Sequence, residues 1–227
     1  MPALLSIVIP TLNSTNLISS TLLSLSEGIE ANLIKELIIS DGNSTDDIKK
    51  LSNEIGAVFI KGQKGRGIQL HRGAMKATGE WILFIHSDTV LPSGWAIEFL
   101  KHIKNQENAG YCKLSFHDPS LIAKVISFGA NLRSSIFKLP YGDQGLLISK
   151  KLYNEIGGYP DLPLMEDVAI VKFLKQKIQV VPVTIKTSAF KYKRDGWLKR
   201  SINNITLLIR FKFGADPHEL AKLYYRN

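Results

Sequence analysis

Three acidic segments mark where this chain could do chemistry. The first is FIHSDTVLP, where the apolar run Trp81-Ile82-Leu83-Phe84-Ile85 ends abruptly in His86-Ser87-Asp88-Thr89. A lone carboxylate at such a point is either an oxygen ligand for a hard divalent cation or a cap for the helix expected after Pro92. The second is the adjacent pair Glu166-Asp167 in PLMEDV. A carboxylate there can take a proton from a hydroxyl, or the pair can simply favour the positive end of the helix it begins. The third is DGNSTDD, in which Asp41 or Asn43 can stabilise an Asx-type turn or meet a polar ligand.

These residues need elements to position them. LLSIVIP, from Leu4 to Pro10, is short, apolar and partly β-branched, and reads as a buried strand. Asn13 or Ser14 can then cap a helix reaching about Glu27. A second strand, ELIIS, runs into DGNSTDD, where Asp46 and Asp47 suit the first turn of another helix. AVFIK, the loop GQKGRG and a helix with Leu70, Ala74 and Ala77 on one face follow, ending at Gly79. EWILFIH is apolar on both faces and fits the centre of a parallel sheet covered by helices. After Pro92, Ala96, Phe99, Leu100 and Ile103 recur at helical spacing.

From about Asn108 the rhythm changes. GYCKLSFHD alternates like a strand, and PSLIAKVISFGANLRSSIFKLP reads as an amphipathic helix. YGDQGLLIS, the helix-like KKLYNEIGG, LMEDVAIVKFLKQ and the strand-like IQVVPVTIKTSAF complete this half. The expectation is one α/β domain over 1–227, with halves 1–107 and 108–195 and a helical basic segment 196–227. In open α/β sheets ligands gather beyond the carboxyl ends of the strands. PTLN, DGNSTD and HSDT each follow an apolar strand, so parallel strands would bring all three to one rim.

With 29 Lys plus Arg against 20 Asp plus Glu, the net charge of +9 favours an anionic partner: nucleotide phosphates, nucleic acid or an anionic membrane face. Zinc-finger spacing and RNA-binding aromatic motifs are missing, so nucleic acid is not expected. Cys112 is the single cysteine, which excludes an internal disulfide and a Cys-based zinc site and fits a reducing cytoplasm. MPALLSIVIPTLN lacks a positive n-region and a cleavage site, and no apolar run approaches the roughly 18 residues of a membrane span. A soluble or peripherally attached protein is the expectation.

Taken in order, SIVIPTLN, ELIISDGNSTDD, GRGIQLHRGAMKATGEWILFIHSDT and YGDQGLLISKKLYNEIGGYPDLPLMEDVAIVKFLK resemble the family 2 glycosyltransferases of the GT-A fold. HSDT, YGDQ and PLMEDV are similar to a bacterial subgroup with poorly defined acceptors. The resemblance implies a GT-A type, Rossmann-like nucleotide-binding domain with a mixed, mainly parallel central sheet. It also implies a metal-dependent, inverting transfer from a nucleotide diphosphate sugar to a hydroxyl acceptor, a glycan or a lipid-linked molecule.

Residue by residue, Asp88 matches the last carboxylate of the family's Asp-x-Asp motif, the ligand for Mg²⁺ or Mn²⁺, while His86 stands in place of the first, with Ser87 between them near the donor. Pro10, Thr11 and Asn13 are implied contacts to base and ribose, as is Asp41, although relatives often carry two adjacent aspartates there. Arg66 would reach base or phosphate, or else be a plain loop arginine. GQKGRGIQ lacks the Gly-Lys-Ser/Thr ending of a P-loop. Asp167 takes the base role with Glu166 positioning its neighbours, and Asp143 and Gln144 would bond sugar hydroxyls. The family's Gln-x-x-Arg-Trp motif is displaced to KYKRDGW, where Arg194 or Lys193 would neutralise diphosphate.

DGWLKRSINNITLLIRFKFG interleaves apolar residues with Lys199, Arg200, Arg210 and Lys212. Such a basic amphipathic helix can rest on the inner face of a membrane and meet a lipid-linked acceptor, or pack onto its own domain. Two other functions stay open: a sugar nucleotidyltransferase, whose glycine-rich loop would be expected where TLNSTN stands, and a relative that binds nucleotide sugar or glycan without turnover.

Overall fold

Alternation along the apolar strands decides the layering. In β1 (Leu5–Thr11), Leu5, Ile7 and Ile9 enter one buried cluster and Val8 another; in β4 (Trp81–Phe84), Trp81 and Leu83 part from Ile82 and Phe84 in the same way. A strand apolar on both faces needs helices on both sides of its sheet. The protein, seen in a computed structural model that describes residues 3–105, 107–174 and 176–225, meets that need with three layers.

The first half runs β1, α1 (Thr15–Ser24), α2 (Ser26–Glu30), β2 (Ile34–Asp41), α3 (Ile48–Glu54), β3 (Val58–Lys61), α4 (Arg66–Lys76), β4 and α5 (Trp95–Asn105). The second runs β5 (Ala109–Phe116), α6 (Leu121–Phe137), a 3₁₀ turn over Gly142–Gln144, β6 (Leu146–Ser149), α7 (Lys150–Glu155), α8 (Glu166–Phe173), β7 (Ile178–Thr187), α9 (Phe190–Asp195), α10 (Trp197–Lys212) and α11 (Pro217–Tyr225). Among the described residues seven strands share one sheet in the order β3-β2-β1-β4-β6-β5-β7. Pairings are parallel from β3 to β4 and between β5 and β7, while β6 opposes both of its neighbours.

β4 holds the sheet centre, as its composition requires, but its parallel surroundings extend to one side only. On the other, Leu83 pairs with Leu147 of the reversed β6. Leu146, Leu147 and Ile148 are all buried, so β6 suits an interior position whichever way it runs.

The expected helix from Asn13 or Ser14 to Glu27 is broken at Leu25 into α1 and α2. The break has a use, because Glu27 on α2 accepts Gly94 N–H at 2.7 Å and Ala96 N–H at 3.0 Å, satisfying the start of α5. The segment expected over 196–227, described as far as Tyr225, also divides, at Gly214 with φ +86°, into α10 and α11. Leu207 and Leu208 of α10 and Leu220 and Ala221 of α11 are buried in the main core. Among the described residues no helix is long and apolar enough to cross a membrane.

Candidate active site

Parallel pairing places Thr11 beside Asp41 and runs β1 alongside β4, so PTLN, DGNSTD and HSDT emerge at one sheet edge. Gln69 of α4 ties this rim together. Its Nε2 donates to Thr11 O at 2.8 Å and to Ser40 O at 2.9 Å, and its Oε1 accepts Gly65 N–H at 3.2 Å. The HSDT turn is held separately: Ser87 O accepts Thr21 Oγ1 at 2.8 Å, and Val90 exchanges backbone hydrogen bonds with Lys186. Since Glu27 takes the amides that open α5, Asp88 is left free of a capping role and lines the cavity in front of the rim.

Glu166 and Asp167 arrive from the other half of the chain, at the start of α8. Met165, before them, is in the left-handed region at φ +66°, a conformation costing a non-glycine residue about 1–2 kcal/mol. Glu166 is turned inward, 1% exposed, with Oε1 at 3.4 Å from Arg66 Nη1. Gly67 permits that approach, since a Cβ there would meet Pro160 O at 2.4 Å. Burial holds the Glu166 carboxyl above its ordinary value and Asp167 adds to this, while Arg66 opposes both.

Asp167 faces the cavity. Its Oδ1 accepts Val168 N–H at 2.7 Å and its Oδ2 accepts Gly142 N–H at 2.8 Å. A Cβ on Gly142 would lie 3.0 Å from His86 Nε2 and 3.6 Å from Asp167 Oδ2, so the HSDT turn and the Glu166-Asp167 helix converge on this one glycine.

The cavity holds 960 Å³, with Asp88, Asp143 and Asp167 among its acids and Lys64, Arg66, Lys191 and Arg200 among its cations. Burial, helped by Arg66 and Lys191, pushes the His86 pKa down to about 3, so its imidazole is neutral at pH 7. Burial lifts Asp143 to about 6; Arg133 opposes it, and Asp167 and Asp88 reinforce it. Lys191, though solvent-facing at one side, is held below its usual value by desolvation and then by Arg66 and Arg200, with Asp88 pulling the other way.

Pro10, Thr11, Arg66, Ser87, Asp88, Asp143 and Asp167 all line this one cavity. Asp41 stands behind it, 1% exposed, with its carboxylate taken by Thr11 Oγ1, Ser44 Oγ and the N–H groups of Asn43 and Ser44, which is the Asx-turn arrangement. Asn13 accepts Thr45 N–H at 2.9 Å and braces the same loop.

Gln144 and Arg194 also stand outside the cavity lining. Gln144 is fully buried: its Oε1 accepts Ser134 Oγ at 2.6 Å and Arg133 Nη2 at 3.2 Å, and its Nε2 donates to Cys112 O at 3.1 Å, so its amide is used up inside the fold. Arg194 is outside the cavity lining and pairs with Asp195 at 2.6 Å, while Lys193 pairs with Asp118. The cations that do line it are Lys191 and Arg200, the latter also paired with Asp195 at 2.6 Å, and sequence reading missed them because only the turn between α9 and α10 brings them to one wall. Gln69 was missed too. Its signal was a polar residue beside Leu70 on the buried face of α4.

Among the described residues no three His, Cys, Asp or Glu side chains converge into a ready metal cage. Asp88 faces the cavity and Asp143, near enough to feel its charge, carries a buried Oδ1 with no hydrogen-bond partner. Mg²⁺ and its like are commonly held by one or two carboxylates with substrate phosphates and water completing the shell. The oxygen donors present fit that manner of binding.

The profile of Glycosyl transferase family 2 matches residues 6–124, just over half of the chain. No curated protein matches it. Among solved structures it is similar to S. aureus TarS 1–349 in complex with UDP, at 17% identity and TM-score 0.62, over 83% of this chain and 60% of that one. The same protein with UDP-GlcNAc gives 17%, 0.62, 83% and 58%. Glucosyl-3-phosphoglycerate synthase from Mycobacterium tuberculosis, in complex with Mn²⁺, UDP and glucosyl-3-phosphoglycerate, gives 20% and 0.55 over 80% and 70%. The chain thus spans about three fifths of TarS 1–349. At these identities the likeness is one of fold, and that fold is the GT-A type.

Proposed function

The chain belongs to glycosyl transferase family 2, and from that premise we propose that it moves a sugar from a nucleotide diphosphate sugar to a hydroxyl acceptor, with metal dependence and inversion. One observation carries this reading: Asp88 and Asp167, from opposite halves of the chain, face one cavity together with Arg66, Lys191 and Arg200. Cleaving a sugar–diphosphate bond develops negative charge on the leaving group, while forming the new bond needs a base on the other side.

In this reading Asp88, with Asp143 near enough to feel its charge, would hold Mg²⁺ or Mn²⁺. The cation would act as a Lewis acid toward the leaving diphosphate. Arg66, Lys191 and Arg200 neutralise the phosphates, and Glu166 orients Arg66 through their contact. Pro10 and Thr11 form the floor for base and ribose, with Asp41 and Asn13 shaping the loop beside them. Ser87 lies beside the donor. Asp167 removes the acceptor proton, its Oδ2 kept in place by Gly142 N–H. Attack from that side inverts the anomeric centre.

Residues 1–107 would then bind the donor and 108–195 the acceptor, which we take to be a glycan or a lipid-linked molecule met at a membrane surface. UDP and UDP-GlcNAc in the similar structures support a nucleotide-sugar donor, and Mn²⁺ in one of them supports the metal. The test is donor hydrolysis by the purified protein with Mn²⁺ and a panel of nucleotide sugars. Release of sugar by the wild type and its loss in Asp167→Asn support transfer. Donor binding without any release would make the protein a binding-only member of its family.

A further inference from the structure

α6 packs the wrong way round for a surface helix. Ala123, Ser127, Ala130 and Ser134, small residues at helical spacing, face the protein, whereas Leu121, Val125, Phe128, Leu132 and Ile136 face solvent. Phe128 alone is 67% exposed. α10, which touches α6, shows the same habit: Leu207 and Leu208 are buried, while Leu198, Ile202, Ile205, Ile209 and, just past its end, Phe213 form a second solvent-facing stripe. Single exposed apolar residues are ordinary, but two neighbouring helices with their largest apolar side chains turned outward form a surface that calls for a partner.

Charge identifies the partner. The stripes are bordered by Lys124, Lys138, Lys199, Arg210 and Lys212, and neither Leu121–Phe137 nor Trp197–Phe213 contains an acidic residue. A second copy related by a two-fold axis would bring these cations against each other with no carboxylate on either helix to pair them. Apolar side chains that sink below a headgroup layer, ringed by cations that meet its negative charge, match an anionic bilayer instead.

We infer that the α6–α10 face is a docking surface for an anionic lipid membrane. The opposite flank of α10 lines the cavity through Arg200, Asn204 and Leu207, and Phe190, 66% exposed, stands at the cavity wall. Docking would therefore set the cavity within about one helix diameter, roughly 10 Å, of the bilayer. That consequence for a lipid-carried acceptor rests on the glycosyl-transfer reading; the docking itself does not.

The test is co-sedimentation of the full chain with vesicles of phosphatidylcholine alone and of phosphatidylcholine mixed with phosphatidylglycerol. Binding is expected to the mixed vesicles only, weakening as salt is raised, and falling about tenfold or more in Phe128→Ser/Ile205→Ser. Both side chains are more than half exposed, so the variant should keep the wild-type melting temperature and the wild-type thermal shift with UDP and Mn²⁺. Failure to bind anionic vesicles, or equal binding to neutral ones, overturns the inference. A dimer in velocity sedimentation that the same substitutions dissolve overturns it in favour of self-association. The UDP shift reports on the nucleotide site separately, so loss of one reading leaves the other standing.

Discussion

Gly142 N–H donates to Asp167 Oδ2 at 2.8 Å, joining the YGDQ turn to the start of α8 and fixing one carboxylate oxygen in the cavity. With Val168 N–H held by Oδ1 at 2.7 Å, the bond fixes the orientation of the Asp167 carboxylate, and a side chain at Gly142 would fit only tightly against His86.

Replacing Gly142 by Ala would press a methyl group to 3.0 Å from His86 Nε2. Relief requires the imidazole or the turn to move by a few tenths of an ångström. Such overpacking costs about 1–3 kcal/mol. A lowered melting temperature together with slower turnover is expected, and unchanged donor-binding affinity would show that the damage is confined to the Asp167 side.

Asp167→Asn retains an oxygen to accept Gly142 N–H but removes the base. Turnover is expected to drop about 10²–10⁴-fold with UDP affinity preserved. Steady-state kinetics beside a UDP thermal-shift titration checks this, and full activity in the variant would remove Asp167 from the base role.

UDP with Mn²⁺ at about 100 times its dissociation constant should raise stability by about 2.7 kcal/mol. Chelation should remove most of the metal-dependent part, and Asp88→Asn should make the shift indifferent to metal. Differential scanning fluorimetry with and without chelator gives the answer.

Asp41→Ala should destabilise the rim. Thr11 Oγ1, Ser44 Oγ and the amides of Asn43 and Ser44 lose their acceptor, and each donor that stays buried and unpaired costs about 1–3 kcal/mol. Chemical denaturation should show the loss, accompanied by weaker nucleotide binding because the loop beside Thr11 loosens.

His86 is neutral in the folded protein, its pKa pushed down to about 3, while the unfolded chain protonates it near 6.5. Below about pH 6.5 the unfolded state binds the extra proton, so stability is lost progressively as pH falls toward 3. Asp143, raised to about 6, works in the opposite sense, with stability falling as pH rises from about 4 to 6. In chelator, the melting temperature of His86→Gln relative to wild type should therefore rise as the pH is lowered from 6.5, and Asp143→Asn should gain on wild type as the pH is raised through 4 to 6.

Much of the frame was legible in the chain. Strands β1, β2 and β4 are short runs with little choice but burial, and their polar ends mark the rim. The break at Leu25 was not legible, because it serves Glu27's contact with Gly94 and Ala96 at the start of the distant α5. Nor was the inward turn of Gln144, whose partners Cys112, Arg133 and Ser134 come from β5 and α6.

By itself the sequence determined which residues are acidic at strand ends, that β4 must be covered on both faces, and that the excess charge is positive, because composition and period act through local chain geometry. Tertiary structure alone decided that Asp88 and Asp167 share a cavity, that Lys191 and Arg200 rather than Arg194 line it, and that α6 turns its small residues inward. Those outcomes depend on which side chains from remote segments compete for the same space and the same hydrogen-bonding groups, and that competition exists only once the sheet has brought the two halves together.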